Sequence, residues 1–340
     1  MTAVTDLEGI MSRLSVSVTP ISFCRRRIWK GEQKLFMKGI ELARKYYEKC
    51  AAPVLSEKFS DIMPMMAAGI FGSGSECFGY DDDISEDHDF EPGFCLMLPS
   101  EDIVDRKTAF ALERLYAQLP KEFMGYKRNI LQPVGGARHG VMRMADFFME
   151  KTGTQDGILT AHQWLKTPEH SLAEAVNGEV FFDGYGELER IRKRLAYFPE
   201  DIRKKKLAGN LLLMAQSGQY NYMRCIRHAE WAAAQMAVYE FTKSAMEVIF
   251  LINKKSQPFY KWSFRALREL PKLSLEAELL EYLLTPRVLE RILKDYRLEA
   301  PVDSEADLAM FFVRNVLGYK TARQERLRVQ FESAILVMAS

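Results

Sequence analysis

The stretch Phe71–Leu98, FGSGSECFGYDDDISEDHDFEPGFCLML, decides how this chain is read. It opens on a Gly-Ser repeat (Gly72, Ser73, Gly74, Ser75), continues through an acid-rich loop with Asp81, Asp82 and Asp83, and reaches Asp87-His88-Asp89-Phe90. Side chains alternate faces along a strand, so an extended Asp87-His88-Asp89 puts both carboxylates on one face, about 7 Å apart, with His88 on the other. Two neighbouring carboxylates repel unless a cation lies between them. A hard divalent ion such as Mg²⁺ takes oxygen ligands of this kind, usually together with substrate phosphates. Upstream, glycines let backbone N–H groups turn toward an anion, and the two serine hydroxyls add donors. One segment therefore carries the makings of a phosphate cradle and a metal clamp.

Outward from it, composition sets bounds. The chain has 340 residues, 48% of them hydrophobic and 11% aromatic, enough for a sizeable core and two domains. A formal net charge of +1 gives no electrostatic reason to expect nucleic acid or a membrane surface as partner. Five scattered cysteines without a CxxC pair suit reduced thiols better than disulfides or zinc, and His88, His139, His162, His170 and His228 lack ligand spacing. No apolar run approaches about 18 residues and no signal-type segment opens the chain, so a cytoplasmic protein is expected. Neither a Walker-type loop nor a dinucleotide-binding glycine fingerprint follows a strand.

The periodicity predicts α+β architecture: a small mixed sheet followed by an all-helical bundle. Residues 1–33 stay open, 34–184 form the α/β core and 185–340 the helical domain. Within the core a helix is expected over Lys34–Cys50, ended by Pro53, with a second around Leu55–Ile62 and a buried strand over Met65–Phe71. After the strand ending at Leu98, Ser100 is read as the N-cap of a helix running to Leu119 and burying Val104, Phe110, Leu115 and Tyr116. Gly140–Phe148 reads as another strand and Glu179–Phe182 as a brief one. From Glu187 onward only helices are expected, including one long helix over Asn221–Asn253 and later ones over Pro286–Tyr296, Ser304–Leu317 and Thr321–Val337.

Ile70-Phe71-Gly72-Ser73 followed after a short spacer by Asp87-His88-Asp89 resembles the fingerprint of the DNA polymerase beta-type nucleotidyltransferase superfamily; counting from Gly74-Ser75 also fits. The longer form, with GSGSE, a Gly-Tyr-Asp-Asp and Ser-Glu-Asp-His-Asp, looks like an uncharacterised bacterial branch of it. The layout of small core and helical bundle is similar to aminoglycoside nucleotidyltransferases; Val180–Leu188 at the junction extends the likeness, and Pro258-Phe259-Tyr260-Lys261-Trp262 in the bundle resembles a Pro-Tyr-x-Lys-Trp stretch of the uncharacterised branch. The resemblance implies transfer of a nucleoside monophosphate from an NTP, with ATP the expected one, to a hydroxyl of a small-molecule acceptor. It implies one or two Mg²⁺ on Asp87 and Asp89, phosphates on Gly72, Ser73, Gly74 and Ser75, and a homodimer as one arrangement. Lys261 reads equally as a phosphate contact and as a surface lysine. The superfamily carries a third carboxylate on a neighbouring strand, but Val141-Met142-Arg143-Met144 offers none there; Asp146 and Asp183 are the substitutes, Asp183 also fitting a turn before Gly184. Two other readings stay open: a non-catalytic nucleotide-binding regulator of the same fold, and nucleotidylation of a protein or RNA acceptor.

Overall fold

The computed structural model describes residues 37–82, 85, 90–128 and 139–284, all within one compact unit that begins at Met37. The opening segment, the strand expected through Asp87-His88-Asp89 and the helices expected after Leu284 lie outside these residues.

The centre is a four-stranded mixed sheet in the order β5-β2-β1-β6. Its strands are β1 (Ala67–Ile70), β2 (Cys95–Leu98), β5 (Gly140–Arg143) and β6 (Glu179–Asp183); β3 (Glu122–Phe123) and β4 (Tyr126–Lys127) form a separate hairpin. β1 runs antiparallel to both β2 and β6, and β2 parallel to β5. The small mixed sheet and helical C-terminal region expected from periodicity are therefore present. Alternation along the two central strands divides the core. Ala67, Cys95 and Met97 face one cluster with Phe71, Phe147, Phe148, Trp164, Leu188, Ile191 and Leu251. Ala68, Leu96 and Leu98 face another with Tyr46, Phe94, Leu112 and Tyr116. Burying each large apolar side chain contributes about 1.5–3 kcal/mol, and both faces of this short sheet are covered.

Among the described residues twelve α-helices accompany it: α1 (Gly39–Tyr46), α2 (Ala52–Lys58), α3 (Arg106–Gln118), α4 (Met144–Thr152), α5 (Ala161–Lys166), α6 (Glu169–Val176), α7 (Glu187–Leu195), α8 (Glu200–Met214), α9 (Tyr222–Arg227), α10 (Trp231–Ile252), α11 (Tyr260–Arg268) and α12 (Glu276–Leu284). α10 packs along α8 and against α11 and α12, with Val238, Met246, Ile249, Phe250, Leu267 and Leu280 in a third core. Among the described residues no helix is long and apolar enough to cross a membrane.

Several boundaries differ from expectation for identifiable reasons. Pro53 does not stop the first helix: a wide π-turn over Tyr47–Ala51 leads into α2, and Pro53 sits in its first turn, where a missing N–H costs nothing. Ser100 starts only a turn. The cap of α3 is Asp105, whose carboxylate accepts from Thr108 N at 2.8 Å; Phe110, expected to be buried, is 60% exposed, and Leu112 faces the core instead. The strand expected over Gly140–Phe148 ends at Arg143. Met144, Phe147 and Phe148 are buried at helical spacing in α4, so Asp146 is an exposed residue of a helix rather than a strand. The long helix expected over Asn221–Asn253 breaks between α9 and α10, where Ala229 has φ +58° and Glu230 N donates back to Cys225 O.

Candidate functional site

Gly69 pairs with Cys95, so the end of β1 lies beside the start of β2, and likewise beside the starts of β5 (Cys95↔Gly140) and β6 (Ile70↔Glu179). The Gly-Ser turn leaves the sheet at this end, and Asp87 and Asp89 precede the strand that begins here. Their own positions lie outside the described residues.

The turn is held from a distance. Gly72, with φ +113°, donates its N–H to Asn177 Oδ1 (2.9 Å) and accepts at its carbonyl from Asn177 Nδ2 (2.7 Å), so one amide side chain pairs both backbone groups, as a strand would. The neighbouring Gly178, at φ +69°, approaches so closely that a Cβ there would lie 1.8 Å from the Ile70 carbonyl oxygen. Arg192 of α7 donates through Nη2 to Val176 O (3.0 Å), and its guanidinium lies 5.7 Å from the centre of the Phe71 ring. Its Nη1 is buried without an acceptor, and no carboxylate among the described residues forms an ion pair with it. Burial lowers the pKa of this guanidinium, with the Glu189 charge opposing.

After the turn the chain folds inward. Gly74 is needed for space: a Cβ there would come within 1.9 Å of Glu76 Oε1. Glu76 is 8% exposed, and that Oε1 is buried with no hydrogen-bond partner. Asp81, read as part of a polar loop, is fully buried. Its Oδ2 accepts from Gly39 N (2.6 Å) at the start of α1, and Lys38 Nζ lies 3.4 Å from Oδ1. Asp82 does form the expected Asx-type turn, accepting from Ser85 N and Ser85 Oγ.

Helix α11 docks on the far side of this loop. Arg265 donates to Tyr80 O (2.7 Å) and lies over its ring at 4.7 Å; the Tyr80 hydroxyl donates to Glu269 (3.0 Å), and its ring is 5.9 Å from that of Trp262. Burial and the Glu269 bond push the Tyr80 hydroxyl above its usual range. Lys261 is exposed, with Nζ 4.8 Å from the centre of the Trp262 ring, so it stands beside the docked helix start and outside the packed contact.

Asp183 is not brought to the turn. β6 is antiparallel to β1 and Asp183 pairs with Ala67, five residues before Gly72, which sets it roughly 16 Å away along the strand. Both its oxygens are occupied at the start of α7, accepting from Gly186 N (2.9 Å) and Glu189 N (3.0 Å). It is a helix cap. Among the described residues no group of three or more His, Cys, Asp and Glu side chains could hold a metal ion.

A family model described as "Domain of unknown function (DUF4037)" matches residues 164–263. No curated protein and no solved structure matches the chain. The matched span stops short of the Gly-Ser turn in sequence, yet contains Asn177, Gly178, Arg192 and Trp262, which surround the turn and its loop. In the sequence Asn177-Gly178 has only the look of a turn, and no spacing singles out Arg192 or Glu76. Only the adjacency of Glu76 to the Gly-Ser repeat carried a signal.

Proposed function

We propose that the chain is a nucleotidyltransferase that moves a nucleoside monophosphate from an NTP to an acceptor hydroxyl. The acceptor oxygen forms a bond to the α-phosphorus, the bond from that phosphorus to the bridging oxygen breaks, and pyrophosphate leaves with the electron pair as the hydroxyl proton passes to solvent or a base. The observation that carries this reading is Arg192. A guanidinium that is mostly buried, that feels the Glu189 charge but forms no ion pair, and that has one nitrogen lacking an acceptor, is only partly compensated until an anion arrives. It stands beside a Gly-Ser turn followed at the motif's spacing by Asp87-His88-Asp89. Arg192 and the Gly72–Ser75 turn would orient the triphosphate, and the Asn177 clamp keeps that turn in one conformation before substrate binds. Asp87 and Asp89 are the residues that would hold Mg²⁺, which when bound would neutralise charge on the phosphates. Helix α11, already on the Tyr80 loop, bounds the space left for the acceptor. A small molecule is the favoured acceptor, in a reducing compartment that suits Cys50, Cys77, Cys95 and Cys225, none of which is in a disulfide.

Asp87→Asn with Asp89→Asn is expected to abolish Mg²⁺-dependent pyrophosphate release with every nucleotide, measured in a coupled phosphate assay across an acceptor screen. Undiminished turnover would exclude the assignment. One observation favours a second reading, a nucleotide-binding regulator: β5 has no acid, and Asp183 is spent on capping α7. Calorimetry with a non-hydrolysable NTP separates the two, since the regulator binds nucleotide and releases no pyrophosphate under any acceptor.

A further inference from the structure

Glu76 is the least explained charge in the described molecule. Its side chain is more than nine-tenths buried, and no lysine, arginine or histidine among the described residues forms an ion pair with it. Oε2 has only the Ser75 hydroxyl, at 3.4 Å, while Oε1 has nothing. The nearest helix start is already in use: α1 begins at Gly39, whose missing Cβ would stand 2.5 Å from Glu76 Cβ, but the Gly39 N–H is given to Asp81. A carboxylate taken out of water in this way is unstable unless a cation is supplied.

Its surroundings say where that cation would sit. The carboxylate lies directly over Gly74, in the middle of the Gly-Ser turn, and glycine at that position is what makes room for it. It lies near Cys95, the first residue of β2, and its negative charge, after burial itself, helps push the Cys95 thiol up to about 12. The Phe90 ring reaches the same Gly39 position against which Glu76 Cβ packs, at 3.2 Å from it. Glu76 thus stands between the turn and the chain that leads into β2. An anionic side chain over the turn would repel a phosphate arriving there by itself, and would not repel one accompanied by a divalent ion.

We propose that Glu76 is a ligand of the divalent cation, giving Oε1 to it from the Gly-Ser side. This rests on the nucleotidyltransferase reading for the identity of the ion, and on Glu76, Gly74 and Ser75 for the ligand. Hard oxygen donors at this spot select Mg²⁺ or Mn²⁺ over softer metals.

The test is a Mn²⁺ titration of the full-length chain, with and without a non-hydrolysable NTP, following the loss of the free-ion paramagnetic resonance signal. Glu76→Gln keeps size and removes charge; it is expected to weaken Mn²⁺ binding at least tenfold. In metal-free buffer the same variant is expected to melt at or above the wild-type temperature, because an uncompensated buried charge is gone. Glu76→Asp, which retracts the carboxylate by one methylene, is expected to give a smaller loss and serves should the glutamine variant fail to fold. Mn²⁺ binding in Glu76→Gln equal to wild type, with binding lost in Asp87→Asn plus Asp89→Asn, would overturn this inference and leave the proposed function standing. A lower metal-free melting temperature would also overturn it, by revealing a structural partner for the carboxylate. No Mn²⁺ binding by the wild type under either condition would remove both.

Discussion

The two ends of the central sheet are built to opposite standards. At the end where β1 starts, the polar groups of Asp183, Gly184 and Arg143 find partners. Asp183 gives both oxygens to N–H groups, Gly184 N donates to Met66 O, and Arg143 donates to Pro99 O. At the end where β1 stops, an anion and a cation stand unmatched around one turn: Glu76 with an orphaned oxygen and Arg192 with an orphaned nitrogen. Buried groups left this way each cost on the order of 1–3 kcal/mol, and more when charged. A fold that satisfies its carboxylates at one end of a sheet has no structural reason to leave one unsatisfied at the other. On the proposed function, the difference separates an end that holds the molecule together from an end arranged for a ligand. Both charges have the sign a metal–phosphate complex would complement.

Changes at the two ends should therefore behave differently, and the largest expected effect is at the support of the open end. In Gly178→Ala, a Cβ would be forced into the left-handed region and to within 1.8 Å of the Ile70 carbonyl oxygen. Left-handed strain and overpacking together should cost about 3–5 kcal/mol, read by urea unfolding. A loss under about 1 kcal/mol would mean that the 177–178 turn is not pressed on β1. Asn177→Ala comes next. It deletes one donor and one acceptor and strands the N–H and C=O of a buried Gly72, for a loss of about 2–4 kcal/mol in the same measurement. It should also reduce pyrophosphate release, since the turn that orients the triphosphate loses its clamp. Stability lost with turnover unchanged would detach the clamp from the site.

How much of this could be read from the chain alone follows from the range of each interaction. Alternation and apolar runs found β1, β2 and β6 because a strand's burial pattern is local. The same reading overran at Met144: Phe147 and Phe148 continue an apolar run, and only the spacing of Met144, Phe147 and Phe148 marks a helix. Ser100 and Asp105 are both acceptable caps, and the choice of Asp105 depends on which of Phe110 and Leu112 meets the sheet. The site was half legible. The Gly-Ser turn declares itself by residue type, while Asp87-x-Asp89 is an expectation from spacing that lies outside the described residues. Asn177, Arg192 and Arg265 reach Gly72, Phe71 and Tyr80 across separations of 105, 121 and 185 residues that no periodicity can reveal. Asp183 shows the opposite failure. Its residue type suits catalysis and its place before Gly184 suits a turn, and only the antiparallel pairing of β1 with β6 sets it away from the Gly-Ser turn.

Asp183→Ala is accordingly the smallest expected change and the one that best isolates the matched end. Removing the carboxylate frees Gly186 N and Glu189 N at the first turn of α7, where each can find water because the turn is partly exposed. The loss should be about 1–2 kcal/mol, the ordinary worth of a cap with the helix dipole added. Affinity for Mn²⁺ and for a non-hydrolysable NTP should stay at wild-type values, because the cap sits at the other end of β1 from the turn. A drop in metal affinity comparable to that of Glu76→Gln would show that the two ends communicate through α7, which carries Arg192 less than two turns beyond the cap. Stability lost alone would show that α7 is held at its start by Asp183 and oriented at Arg192 by Val176, each contact acting separately.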